Sequence, residues 1–205
     1  MQSRLRKAEN MLRRSDPVMA RLIERHGPCT LYAENSLIRM PRFHVLVWAI
    51  INQQLSVRAA RSIELKLLAL HTGESFDQTR INGFEDAQLA SCGLSRQKIR
   101  YLRCLCDAVE SGSLDLADFE HMENPAIAET LLKLPGIGPW TVDMFLMFSL
   151  GRLDVLPLGD LALRSAFAQH YPLPDRPSIA DYHAIADAWR PYRTVSSWYL
   201  WAAVD

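Results

Sequence analysis

Two stretches of the chain carry residue types and spacings that could do chemistry. The first is Leu132-Lys133-Leu134-Pro135-Gly136-Ile137-Gly138-Pro139-Trp140-Thr141, which continues as an apolar segment to Leu150. Gly136 and Gly138 lack Cβ, so another molecule can approach their backbone N–H groups closely. Pro139 presets the first turn of a following helix, whose free N–H groups and dipole point back at the turn. Donors and dipole aimed at one place make an anion site, and a phosphodiester fits it. Taken alone, the same residues also read as an ordinary helix–helix corner. The second stretch is Gly159-Asp160. A carboxylate opening a helix is favoured in its ionised form by the dipole and the free N–H groups. Held there, it could stabilise a neighbouring cation or orient a water. The plainer reading is a helix cap worth about 1 kcal/mol. Asp143 and Asp154 compete with it. Asp143, one turn into the apolar helix, reads as solvent-facing or capping, and Asp154 reads as a tie for the loop before Asp160.

The elements that must position these residues are helical almost throughout. Apolar residues recur at helical spacing between short Gly, Pro, Ser and Asn breaks, and β-branched alternation is scarce. Ser15-Asp16-Pro17 predicts a helix start, with the helix running to about Arg25 and stopping before Gly27-Pro28. Further helices are expected from Phe43 to Gln53, from Val57 to Leu70 behind Ser56, and from Ser95 to about Glu110. Others follow from Asn124-Pro125 to Leu134, Pro139 to Leu150, Asp160 to about His170, Ser178 to Trp189 and Arg193 to Val204. Cys29–Tyr32 and Ser36–Arg39 are the short apolar segments that could form strands. The expected architecture is one all-α unit with two helical lobes: lobe one about 1–40 plus 165–205, and lobe two about 42–160 with the hairpin at 134–140.

Composition bounds the function classes. The 205 residues are 49% hydrophobic and 22% charged, the balance of a globular chain. Lys+Arg and Asp+Glu are both 23, so the net charge is zero and no overall basic character points to nucleic acid. The charge is nevertheless segregated: residues 1–14 carry +4, residues 95–103 carry +4 and residues 107–130 carry −7. That distribution suits a protein with one anion-facing side, or simply solvated helix faces. No apolar run reaches a membrane span, and no signal region follows the charged N-terminus, so a cytoplasmic protein is expected. Cys29, Cys92, Cys104 and Cys106 have no metal-ligand spacing and read as reduced thiols. Nothing in the sequence suggests an oligomer, and a monomer is expected.

Leu134-Pro-Gly-Ile-Gly138 followed by Trp140-Thr141, the apolar helix and the loop to Asp160 resembles the helix–hairpin–helix superfamily of base-excision DNA glycosylases. Within it the chain resembles the alkyladenine (3-methyladenine DNA glycosylase II) branch in a minimal form. Ala49-Ile-Ile-Asn-Gln-Gln-Leu-Ser56, Gly93-Leu-Ser-Arg-Gln-Lys98 and Trp189-Arg-Pro-Tyr-Arg193 with Tyr199-Leu-Trp201 look like further segments of that branch. The resemblance covers about residues 40–203.

It implies a helix–hairpin–helix glycosylase fold with the active-site cleft between two lobes, and an enzyme that flips a base from duplex DNA and hydrolyses its N-glycosidic bond. Alkylated bases such as 3-methyladenine or 7-methylguanine are the implied lesions. Asp160 is the implied catalytic carboxylate, and Trp201, Trp140, Met144 and Leu161 are the implied base pocket. Gln53, Gln54 or Leu55 would be the wedge filling the vacated stack. Phosphate contacts would come from Gly136, Gly138, Trp140, Ser56, Lys98 and Arg193. Trp140 stands where lyase members of the superfamily carry a lysine, so a monofunctional enzyme is implied. No cofactor is expected beyond a monovalent cation, Na+ or K+, on the hairpin carbonyls of Leu134 and Ile137. A non-catalytic sensor of alkylated DNA, or a uracil or oxidised-base glycosylase on the same scaffold, remain alternatives.

Overall fold

Asp16, Ser56, Ser95, Asp160 and Ser178 each cap a helix with a side-chain oxygen in the computed structural model, which describes residues 2–33, 36–70 and 73–204. Twelve α-helices lie among the described residues. They are α1 (Gln2–Ser15), α2 (Pro17–His26), α3 (Arg42–Asn52), α4 (Val57–Ala69), α5 (Gln78–Gly83) and α6 (Asp86–Ser91). They continue as α7 (Arg96–Glu110), α8 (Asn124–Leu131), α9 (Pro139–Phe148), α10 (Leu161–His170), α11 (Ile179–Ala186) and α12 (Arg193–Ala202). The predicted helices are present, with ends moved inward by a few residues in α8, α9, α11 and α12. No described helix is long and apolar enough to cross a membrane.

The sequence reading missed α1, α5 and α6. In α1, Leu5, Ala8, Glu9 and Leu12 form a buried stripe at helical spacing, while Arg4, Arg6, Lys7, Arg13 and Arg14 stay exposed. Neither of the two segments that could form strands does so. Around 29–32 the chain turns, and the Cys29 N–H donates to the buried Glu9 carboxylate at 2.7 Å rather than to a neighbouring strand. Leu37–Arg39 is a single 3₁₀ turn closed by Met40 N–H on the Leu37 carbonyl.

The chain divides into two compact units, Met1–Ser36 with Gly151–Asp205 and Leu37–Leu150. This corrects the expected lobe boundaries, because residues 151–164 belong with the first unit. The reason is local. Thr194, in the first turn of α12, donates to the Arg152 carbonyl at 2.7 Å and accepts from Val155 N–H at 3.0 Å, and its own N–H reaches the Leu153 carbonyl at 2.9 Å.

Unit one is organised around Asp16. This buried carboxylate caps α2 through Val18 and Met19 N–H on Oδ1, at 2.7 and 3.1 Å. Its Oδ2 accepts from Trp189 Nε1 at 2.7 Å and from the Tyr171 hydroxyl at 2.9 Å. Phe167 stacks on Trp189 and meets Tyr182 edge-on, each at 5.2 Å between centroids. Burial pushes the Cys29 thiol up to about 12, and all four cysteines are free.

Unit two wraps α3, which is buried on nearly every side and packs against α4, α7 and α9. A polar cluster at α3 is satisfied internally. His44 Nδ1 accepts from Phe76 N–H at 3.1 Å, its ring stacks on Phe76, and Glu64 beside it pairs with Arg61 at 2.7 Å. Burial lowers the pKa of His44 against the opposing pull of Glu64.

Replacing Asp16 with alanine removes a cap and takes the acceptor from two donors, the buried Trp189 indole and the half-buried Tyr171 hydroxyl. Summed from about 1 kcal/mol for the cap and about 1 kcal/mol or more for each donor, the expected loss is about 3 kcal/mol, measurable by urea unfolding.

Candidate active site

In unit two the hairpin is a tight turn between α8 and α9. Ile137 N–H closes it on the Leu134 carbonyl at 3.1 Å. Gly136 takes φ +85, and a Cβ there would lie 2.1 Å from Cγ of Tyr101, whose ring lies flat against the glycine. Gly138 precedes α9 in extended conformation, and a Cβ there would meet nothing within 4 Å. Neither Gly136 nor Gly138 N–H finds an acceptor among the described residues. Two open amides at the start of a helix are the donor set that the sequence analysis expected for an anion. Trp140 is half-buried in the first turn of α9.

The turn between α3 and α4 holds the expected wedge residues, and the structure separates them. Gln53 points inward: its Nε2 donates to the Gly136 carbonyl at 2.8 Å and to Thr141 Oγ1 at 2.9 Å. Gln53 is thereby removed from the wedge set. Gln54 sits at the tip with φ +56, the only positive φ on a non-glycine described residue, and Leu55 beside it is exposed. Ser56 is spent on Ala59 N–H as the cap of α4.

In unit one Asp160 caps α10. Its Oδ1 accepts from Leu163 N–H at 2.8 Å and from Trp201 Nε1 at 3.0 Å. This carboxylate and the Trp201 indole are therefore joined directly. Leu161, next to Asp160, is 80% exposed. Asp154 is the loop tie that was expected, held by Arg193 at 2.6 Å and Arg190 at 3.1 Å.

Three further expectations change. Lys98 and Arg193 do not offer free charges to a phosphate. Lys98 Nζ donates to the carbonyls of Ile51 at 2.6 Å and Gln53 at 2.9 Å, and burial lowers its pKa. Arg193 is 12% exposed, and its Nε and Nη2 are both bonded to Asp154. Met144 is 2% exposed and has little surface to give a base. Asp143 is not solvent-facing: burial raises its carboxyl to about 7. Thr141, Tyr101 and Thr194, which sequence reasoning passed over, prove to be the contacts that shape the hairpin and the Asp160 loop.

A tight glycine turn with open amides between α8 and α9 is a helix–hairpin–helix. The HhH-GPD superfamily of base excision DNA repair proteins matches residues 47–191. The Schizosaccharomyces pombe protein named DNA-3-methyladenine glycosylase 1 is 32% identical over 202 residues, spanning 96% of this chain and 86% of that one. A solved structure of S. pombe 3-methyladenine DNA glycosylase in complex with abasic DNA superposes with TM-score 0.84 at 31% identity, covering 95% of each chain. A DNA-3-methyladenine glycosidase from Bacillus halodurans gives TM-score 0.75 at 35% identity, over 94% of this chain and 86% of that one. The chain belongs to the HhH-GPD superfamily of base excision DNA repair proteins.

Two outcomes follow for the hairpin and α9. Gly136→Ala should destabilise the protein by about 1–2 kcal/mol or more, from positive φ and the Tyr101 clash, whereas Gly138→Ala should melt close to the wild type. For Asp143 the folded state binds the proton more tightly than an ordinary carboxyl near 3.8 does. Its contribution to stability is therefore complete below that value and is lost as the pH rises to about 7. The advantage in melting temperature of Asp143→Asn over wild type should accordingly grow across that window and level off above it.

Proposed function

We propose that the chain is a monofunctional DNA glycosylase that excises alkylated bases, 3-methyladenine and 7-methylguanine among them, from duplex DNA and leaves an abasic site. The observation that carries this reading is Asp160, held at the start of α10 by Leu163 N–H and Trp201 Nε1 at the end of a loop that Thr194 fixes. The names of the two relatives similar over most of their length support the lesion class.

A base inside a duplex must leave the stack before its sugar bond can be reached. The open amides of Gly136 and Gly138 seat a backbone phosphate, and Gln54 or Leu55 fills the gap. As the N-glycosidic bond breaks, its electron pair leaves with the base and positive charge gathers on the deoxyribose. The fixed carboxylate of Asp160 stabilises that charge and takes a proton from the water that adds. An alkylated purine carries positive charge, so the face of Trp201 favours it by cation–π attraction. Trp140 in place of a nucleophilic lysine leaves water as the acceptor of the sugar. The carbonyl oxygens of Leu134 and Ile137 suit a hard monovalent cation at the hairpin, where it would steady the turn beside the phosphate.

Base release from methylated duplex DNA, with the freed bases identified, tests the reading. Asp160→Asn should lower release by about 100-fold or more while duplex binding persists. Absence of release by the wild type, with tight salt-sensitive binding to methylated duplex, would instead establish a sensor of alkylated DNA. Release of uracil or oxidised bases would move the lesion class.

A further inference from the structure

The left-handed conformation of Gln54 needs an account, because a non-glycine residue held there costs about 1–3 kcal/mol and persists only where its surroundings over-determine it. The flanking groups do so. On one side Lys98 Nζ holds the carbonyls of Ile51 and Gln53, the last acceptors of α3, which a cation satisfies well. On the other, both amide protons of Gln53 are used, one on Gly136 O and one on Thr141 Oγ1. The Gly136–Ile137 peptide is thus fixed at both ends, its carbonyl by Gln53 and its N–H by the Leu134 carbonyl. One turn along α7 from Lys98, the ring of Tyr101 supports Gly136, and Gln97 Nε2 donates to the Tyr101 hydroxyl. A single helix therefore braces both the tip that carries Gln54 and the hairpin that carries the open amides.

We propose that Gln53 is a positioning residue that makes the hairpin and the Gln54 turn one mechanical piece, so that a DNA backbone seated on Gly136 and Gly138 sets the depth at which Gln54 enters the stack. This rests on the roles given above to the hairpin and the turn, and it assigns Gln53 no contact with DNA. Without the brace, the backbone grip survives and the insertion loses its register. Gln53 thereby acts on discrimination between damaged and intact duplex, rather than on general affinity.

The test measures binding to a duplex with a tetrahydrofuran abasic analogue opposite 2-aminopurine, against the intact duplex. Fluorescence of the 2-aminopurine reports insertion. Gln53→Ala should cut the preference for the abasic duplex about ten-fold and abolish the fluorescence change, while binding to intact duplex falls less than about three-fold. In a Gln54→Ala background the same substitution should add less than about two-fold, since its effect passes through Gln54. Lys98→Met, which loosens the turn from the other side, should show the same non-additivity and serves if Gln53→Ala melts early. Equal losses on both duplexes, or additive losses in the Gln54→Ala background, would overturn the inference. Base release is not read out, so a wild type that frees no alkylated base would count against the lesion assignment alone.

Discussion

Two donors converge on one oxygen of Asp160, and much of unit one is arranged to keep them there. Leu163 N–H is available only because α10 begins at residue 161, and Trp201 Nε1 arrives only if α12 runs at the right distance from that start. Thr194 supplies the distance. It pins residues 152–155 at the first turn of α12, and Trp201 lies seven residues, about 10 Å, further along the same helix. One rigid rod thus fixes both ends of the loop that delivers the carboxylate. The Arg190–Asp154–Arg193 cluster removes the remaining freedom. At Asp160 the amide that finds its acceptor in the cap also aims the side chain.

Unit two solves a different problem with the same economy. A helix–hairpin–helix must leave amides open at the turn, which deprives the turn of bonds that would normally hold it. The support comes from beneath, through the Tyr101 ring, the Gln53 amide and the Thr141 hydroxyl. The charge of Lys98, which sequence reasoning assigned to DNA, is instead consumed in this scaffolding. Lys98 stands close to the surface, yet its ammonium serves carbonyl groups.

The legible features were those whose signal is short in sequence. Ser56, Ser95, Asp16 and Asp160 cap helices that begin within a residue or two, and the glycines and proline of the hairpin announce the turn by steric rules alone. What escaped notice depends on partners far along the chain. Glu9 is buried because Cys29 N–H and the Tyr199 hydroxyl reach it, and no local pattern in an arginine-rich segment reveals that. Gln53 and Gln54 are neighbours of one type, and nothing in the pair foretells that Gln53 bonds Gly136 and Thr141 while Gln54 takes a left-handed backbone. Arg193 and Lys98 looked available because residue type reports charge but not its counterpart. The expected lobe boundary failed for the same reason, since Thr194 claims residues 152–155 across about 40 positions.

Unit two is one uninterrupted segment, whereas unit one is assembled from the two ends of the described chain. During synthesis from the N-terminus, compact units fold as their last residues emerge. The hairpin unit can close its core once residue 150 is made. Asp160 cannot be aimed until Thr194 and Trp201 follow. The nascent chain therefore completes its hairpin before Asp160 has both of its donors, and that carboxylate is held in place only once α12 is made.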